Sequence, residues 1–251
     1  MEDKPLTFWQ HVDELRSVVV RIVVCIVVLS LLFFCFKEAL FSIVLAPSHA
    51  DFVLYRLIGV DANDVSFCLI NTELTGQFMA HMQVAFMAAA VVGAPYVLWQ
   101  IFAYLSPALY AGERRVLRVA LIAGSALFYL GALLSYVLIF PLSFRFLTNY
   151  QVSDEVGNMI QLSSYLDTLM MLSLLMGILF ELPLVAILLG KVGLISASSM
   201  AAYRRHAVLA ILIVAAVITP TTDVFTLTVV ALPIYVLYEC SIICVRIEGR
   251  K

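Results

Sequence analysis

Residues Tyr165 to Gly190 read YLDTLMMLSLLMGILFELPLVAILLG, with Asp167 and Glu181 as the only charges. A helix rises 1.5 Å per residue, so this stretch reaches about 39 Å, enough to cross a hydrocarbon core of about 30 Å. No other class of structure accommodates such a run, because an isolated span in lipid must satisfy its own backbone hydrogen bonds. Working outward, five further apolar segments run from about Ser17 to Phe36, Gln77 to Leu105, Val116 to Leu142, His206 to Thr219 and Phe225 to Val245. Composition agrees. The 251 residues are 63% hydrophobic and only 13% charged, with a mean hydropathy of +1.05, whereas charge in a soluble domain approaches a quarter of the residues. The expectation is an all-α polytopic membrane protein of six spans forming a single domain over residues 1–251, with no alternating pattern for a barrel.

Basic residues orient it. Lys4, Arg16 and Arg21, then Arg114, Arg115 and Arg118, then Lys191, Arg204 and Arg205, then Arg246, Arg250 and Lys251 fall on the side of the termini. Only Lys37, Arg56 and Arg145 fall opposite, so both termini are cytoplasmic by the positive-inside rule. A net charge of -2 and the absence of a Lys/Arg run leave no basic surface for nucleic acid. Polar residues 1–16 precede the first apolar run and no small-x-small cleavage site follows it, which reads as a retained anchor. The second segment is long and must tilt or kink, with Pro95 as the natural place. The fifth, about 14 residues, is short of the hydrocarbon thickness and needs a thinned bilayer or shielded ends. Lys37 to Gly76 is the largest external segment and reads as a folded cap.

Polar positions are few. Leu6 to Arg16 reads as a short interfacial helix in which Thr7 and Gln10 form a capping box and His11, Asp13 and Glu14 lie on the polar face. Glu113 opens the third span; one reading is a carboxylate complementing the helix dipole, and the other is a partner for Glu14 at the same membrane face, the two acids receiving a cationic ligand. Glu181 sits inside the fourth span, where a charge costs about 2.5 to 3.5 kcal/mol on insertion scales. It is either a functional carboxyl or a helix-packing hydrogen bond, with backbone groups freed by Pro183 as partners. Asp223 suits an N-cap of the last span. His81, Gln83 and Asp167 suit helix-packing hydrogen bonds. The five cysteines, Cys25, Cys35, Cys68, Cys240 and Cys244, suggest neither a disulfide framework nor a metal site, and no cofactor motif is present. Enzyme motifs fail: Ala123-Gly124-Ser125-Ala126 lacks the second glycine of a nucleophile turn, and no His-Glu-x-x-His occurs.

Taken in order, several stretches resemble one family. His11-Val12-Asp13-Glu14-Leu15-Arg16 is similar to the His-Leu-x-Glu-Leu-Arg signature of TatC proteins, with Val12 in place of leucine. Pro95 to Phe102, then Pro107-Ala108-Leu109-Tyr110 and Glu113-Arg114-Arg115, resemble its second span and first cytoplasmic loop. Phe180-Glu181-Leu182-Pro183 resembles its fourth span. Thr219-Pro220, Asp223-Val224-Phe225, Ala231-Leu232-Pro233 and Tyr238-Glu239 resemble its last two. One position departs: Leu227 stands where the family often carries glutamine.

The resemblance implies a non-enzymatic receptor subunit in a bacterial inner membrane, with a concave, glove-like helix arrangement under a periplasmic cap. It would bind twin-arginine signal peptides of folded preproteins and assemble with TatA-like and TatB-like single-span partners, as an oligomer in contact with membrane lipids. The signal-binding residues would be Glu14, Leu15, Arg16 and Glu113, the intramembrane polar site Glu181 and Gln100, and the partner-docking turn Thr219, Pro220 and Asp223. With no Walker motif to use nucleotide, the transmembrane potential, about 2.3 kcal/mol per charge per 100 mV, is the expected energy source. The competing reading is a small proton-coupled transporter using Glu181.

Overall fold

The computed structural model describes residues 8–49, 52–58, 69–105, 114–150, 153, 158–191, 193–219 and 223–248. Its long helices are α1 (Phe8–Phe34), α4 (Gly76–Leu105), α5 (Arg114–Leu134), α7 (Leu162–Leu179) and α11 (Val224–Glu248). Shorter ones are α2 (Lys37–Leu45), α3 (Val53–Ile58), α6 (Phe140–Asn149), α8 (Leu182–Lys191), α9 (Ala197–Ala202) and α10 (Arg204–Ile218). Among the described residues five helical units are long and apolar enough to cross a membrane: 12–34, 76–104, 120–149, 162–191 and 224–247. The fifth segment of the sequence forms α10, only 15 residues long, so its predicted shortness holds.

Three features differ from expectation. The interfacial helix is not separate: α1 runs unbroken from Phe8 into the first span, because Asp13 to Ser17 contain no glycine or proline to interrupt it. Thr7 of the expected capping box lies outside the described residues. The third span extends to Asn149 through a π-helical turn at Ser135–Ile139 that leads into α6. Pro141 sits in the first turn of α6 and offers no N–H to the helix behind it, and the wider turn absorbs that lost bond. The fourth span breaks beside Pro183 as expected: α7 ends at Leu179 with Phe180 as its C-cap, Glu181 N–H bonds the Ile178 carbonyl, and α8 resumes with Pro183 in its first turn. Finally, β1 (Leu69–Ile70) and β2 (Ile160–Gln161) pair in parallel, a small sheet in an otherwise helical protein. By contrast α4 passes through Pro95 as one helix of 30 residues.

Antiparallel packing follows the connectivity. Phe34 near the end of α1 stacks on His81 near the start of α4, with ring centroids 4.0 Å apart. Farther along, Val92 accepts a long 3.4 Å hydrogen bond from Tyr129 on α5, and Phe102 clusters with Ala120. Thus α1 and α5 run parallel, and their N-terminal ends lie at the same membrane face. Where α5 meets α7 the helices approach closely: a Cβ on Gly131 would lie 2.6 Å from the Met176 carbonyl, and one on Gly177 2.8 Å from the Phe128 ring. Small residues at such positions are what lets helices associate in lipid, where no hydrophobic gain drives them together. Gly193, at φ 79°, ends α8 in the left-handed region glycine tolerates.

The cap is pinned from below by tyrosines. Tyr136 donates to the Ile43 carbonyl at 2.6 Å and Tyr165 to the Val44 carbonyl at 2.9 Å. Within the cap, Tyr55 is almost fully buried and donates to the Pro47 carbonyl at 3.2 Å. Burial pushes that phenol up to about 12 against the pull of the Arg145 cation, which keeps it a donor. Of the three residues expected to make helix-packing hydrogen bonds, Gln83 donates to Asp167 at 2.6 Å and joins α4 to α7, whereas His81 stacks on Phe34 and its buried Nε2 has no hydrogen-bond partner among the described residues.

Candidate functional site

Pro183 fixes the polar centre of the bundle. It breaks the fourth span, and the residue at the break is Glu181, 8% exposed. Its carboxylate lies against the bare backbone of α5: a Cβ on Gly124 would be 3.0 Å from Oε2 and 3.2 Å from Oε1. Both oxygens are buried without a hydrogen-bond partner among the described residues. A buried carboxyl left in that condition is costly, and of the two readings open in the sequence the packing hydrogen bond is the one this geometry lacks. Gln100, 6% exposed, was expected beside it; its amide instead donates to Tyr96 one turn back on α4, at 2.8 Å. The two polar groups therefore do not form a bonded pair.

At the cytoplasmic end, Glu14, Leu15 and Arg16 all lie exposed on the first turns of α1. Glu113 lies outside the described residues, immediately before Arg114, the first residue of α5. Since α1 and α5 are parallel, Glu14 and the start of α5 share a membrane face.

On the opposite face the turn between α10 and α11 is built from caps. Thr219 is buried, its hydroxyl donating to the Ala215 carbonyl at 3.0 Å. Asp223 accepts from the Thr226 N–H at 2.6 Å, the N-cap anticipated from its position. Pro220 lies outside the described residues. Phe225 stacks on Phe146 of α6 with centroids 4.4 Å apart, so the turn is held to the third span's extension.

One constellation escaped the sequence reading. Arg204, opening α10, meets Glu239 on α11 with two parallel bonds, Nε to Oε1 at 2.7 Å and Nη2 to Oε2 at 2.8 Å, while Tyr235 donates to Oε1 at 3.2 Å. This fork-to-fork geometry is specific to arginine. Tyr235 and Glu239 stand one helical turn apart, a visible hint, but nothing in the sequence couples them to a residue 35 positions earlier. Tyr238 adds a second tie, donating to the Met200 carbonyl of α9 at 2.8 Å.

The comparisons with known proteins bear on the whole chain. The family model described as Sec-independent protein translocase protein (TatC) matches residues 10–233. The TatC protein of Blattabacterium sp. subsp. Periplaneta americana (strain BPLAN) is 30% identical, over 96% of this chain and 95% of its own length. That of Escherichia coli (strain K12) is also 30% identical, over 96% of this chain and 88% of its own. A crystal structure of the twin-arginine translocase receptor TatC superposes with a TM-score of 0.78 at 27% identity, covering 95% of this chain and 99% of that one. By sequence along nearly its full length and by the arrangement of its helices, the chain belongs to the TatC family of Sec-independent protein translocase proteins.

Proposed function

We propose that this chain is the signal-peptide receptor of a twin-arginine translocase, with Glu14 and Glu113 receiving the paired arginines at the cytoplasmic face. The observation that carries this reading is the parallel course of α1 and α5, which sets exposed Glu14 and the start of α5 at one membrane surface. Guanidinium groups meet carboxylates bidentately, so lysines would serve the ligand poorly. Exposed ion pairs are worth under about 1 kcal/mol each, so the signal's apolar stretch and the interface must supply much of the affinity. Leu15 and Arg16 flank the site on the same turn.

As a TatC-family protein the chain is a multi-pass protein of the bacterial inner membrane and a component of protein export. Its partners are TatA-like and TatB-like single-span proteins, docking along α10 and α11 near Thr219, Pro220 and Asp223, with Glu181 as a polar contact in the bundle and several copies assembling in the receptor complex. Leu227 stands where a glutamine is common in the family, Thr226 is buried and the Thr228 hydroxyl donates to the Val224 carbonyl, so no polar partner contact is assigned to these three residues.

The test is photocrosslinking of a twin-arginine signal peptide to the protein in native membranes. Glu14→Ala with Glu113→Ala should abolish the adduct while the protein still inserts. Undiminished crosslinking would remove the site.

A further inference from the structure

Beneath the cap, α1, α2, α4, α5 and α7 enclose a recess of about 470 Å³, open on one side. Its walls are apolar, including Phe33, Val84, Val91, Leu133 and Leu169. Polar side chains enter only as Tyr129, Tyr136 and Ser173, and the Tyr136 hydroxyl is committed to the Ile43 carbonyl. Along α4 the lining runs from Val84 to Val92, eight residue steps, or about 12 Å. That is close to the depth of one bilayer leaflet, about 15 Å of hydrocarbon. The upper rim is α2, whose Leu40 and Val44 line the recess and whose exposed first residue, Lys37, stands one and two turns before them on the same helical face.

We propose that this recess holds one acyl chain of a phospholipid from the outer leaflet, with the phosphate met by Lys37. Three observations select that occupant. Water finds almost no partners on these walls. A peptide helix is about 10 Å across and rises 5.4 Å per turn, so a single turn would exhaust the volume. A lipid tail is thin and as long as the recess is deep, and its phosphate complements the one cation that the α2 face carries over it. The site is distinct from the cytoplasmic acids, lying at the other end of the spans, and it does not depend on their role.

The experiment uses the full chain in nanodiscs that contain a phospholipid bearing a diazirine midway along one acyl chain. After photolysis, labelled peptides are mapped by mass spectrometry while the probe fraction is raised. The expected result is saturating incorporation on 84–92 and at Leu133, at one label per chain, whereas Val23, Val24 and Val27, exposed on α1, label in linear proportion to the probe. Ala88→Phe or Leu133→Trp should lower recess labelling about tenfold, the effect of denying about two methylenes their burial. Lys37→Ala should lower it about fivefold, a single cation's worth at the headgroups. The proposal fails if wild-type labelling is linear and equal on α1 and in the recess, or if both fillings leave it unchanged in protein of normal melting temperature. It also fails if a twin-arginine peptide displaces the lipid and its own apolar stretch becomes crosslinked at the same positions.

Discussion

The first span and the fourth invert the usual relation between hydrophobicity and burial. Residues 12–34 have the highest mean hydropathy of the five long units, yet only 6% of their most apolar window is buried within the protein. Residues 162–191 are less apolar, contain Glu181, and are 50% buried by the same measure. The reason is the solvent. A helix facing lipid on most sides wants valine and leucine all round, whereas the bundle interior can use serine, glycine and a carboxyl. Ser135, Ser143, Ser173, Glu181 and Thr226 are all buried here. Hydropathy thus measures contact with the bilayer better than membership of the core.

The hardest way to break this contrast is to enlarge a glycine between the inner helices. Gly131→Leu, with the Met176 carbonyl and the Phe180 ring under 3 Å from its new Cβ, should destabilise by about 3 kcal/mol and leave little folded protein in detergent melting curves. A smaller effect of opposite sign sharpens it. Glu181→Leu removes a buried carboxyl that has no hydrogen-bond partner among the described residues, and should stabilise by about 1 to 3 kcal/mol in the same melts while lowering export of a twin-arginine reporter. Unchanged export with raised stability would reduce Glu181 to a packing residue. Tyr165→Phe deletes the 2.9 Å bond to the Val44 carbonyl and should cost about 1 kcal/mol, read as faster amide exchange in α2. Least of all, Val24→Ala on the lipid face of α1 should stay within about 0.5 kcal/mol. A larger loss would mean that α1 is covered by something other than lipid.

Much of this arrangement was legible in the residues, because lipid imposes a length on each span. The short α10, the long α4 and the N-cap at Asp223 follow from spacing and side-chain chemistry, as does a packing hydrogen bond at Gln83 and at Asp167, though not that the two bond each other. The π-helical turn was not, since Pro141 alone does not announce whether a helix ends there or widens and continues. The break at Phe180 and Glu181 was legible, because Pro183 cannot continue the hydrogen-bond ladder, but the backbone groups it frees leave both Glu181 oxygens without a partner among the described residues. The Arg204 to Glu239 clasp joins two helices through a loop, and loop closure carries no periodic signature. Among the candidate site residues, Glu181 could be found because a lone acid inside an apolar run is conspicuous. Gln100 was grouped with it by resemblance, and in the folded chain its amide donates to Tyr96.

The parallel pairing of Leu69–Ile70 with Ile160–Gln161 bears on how the protein is made. Some ninety residues separate the two strands, so the ribosome, at about 5–20 residues per second, emits the second roughly 5–18 s after the first. During that interval the early external segment has crossed the membrane without its mate, and it can be latched only after two further spans have been threaded. Closure of the periplasmic roof therefore reports that the first three spans are in place, and a nascent chain stalled before residue 160 would display that segment unlatched to the proteases that monitor envelope proteins.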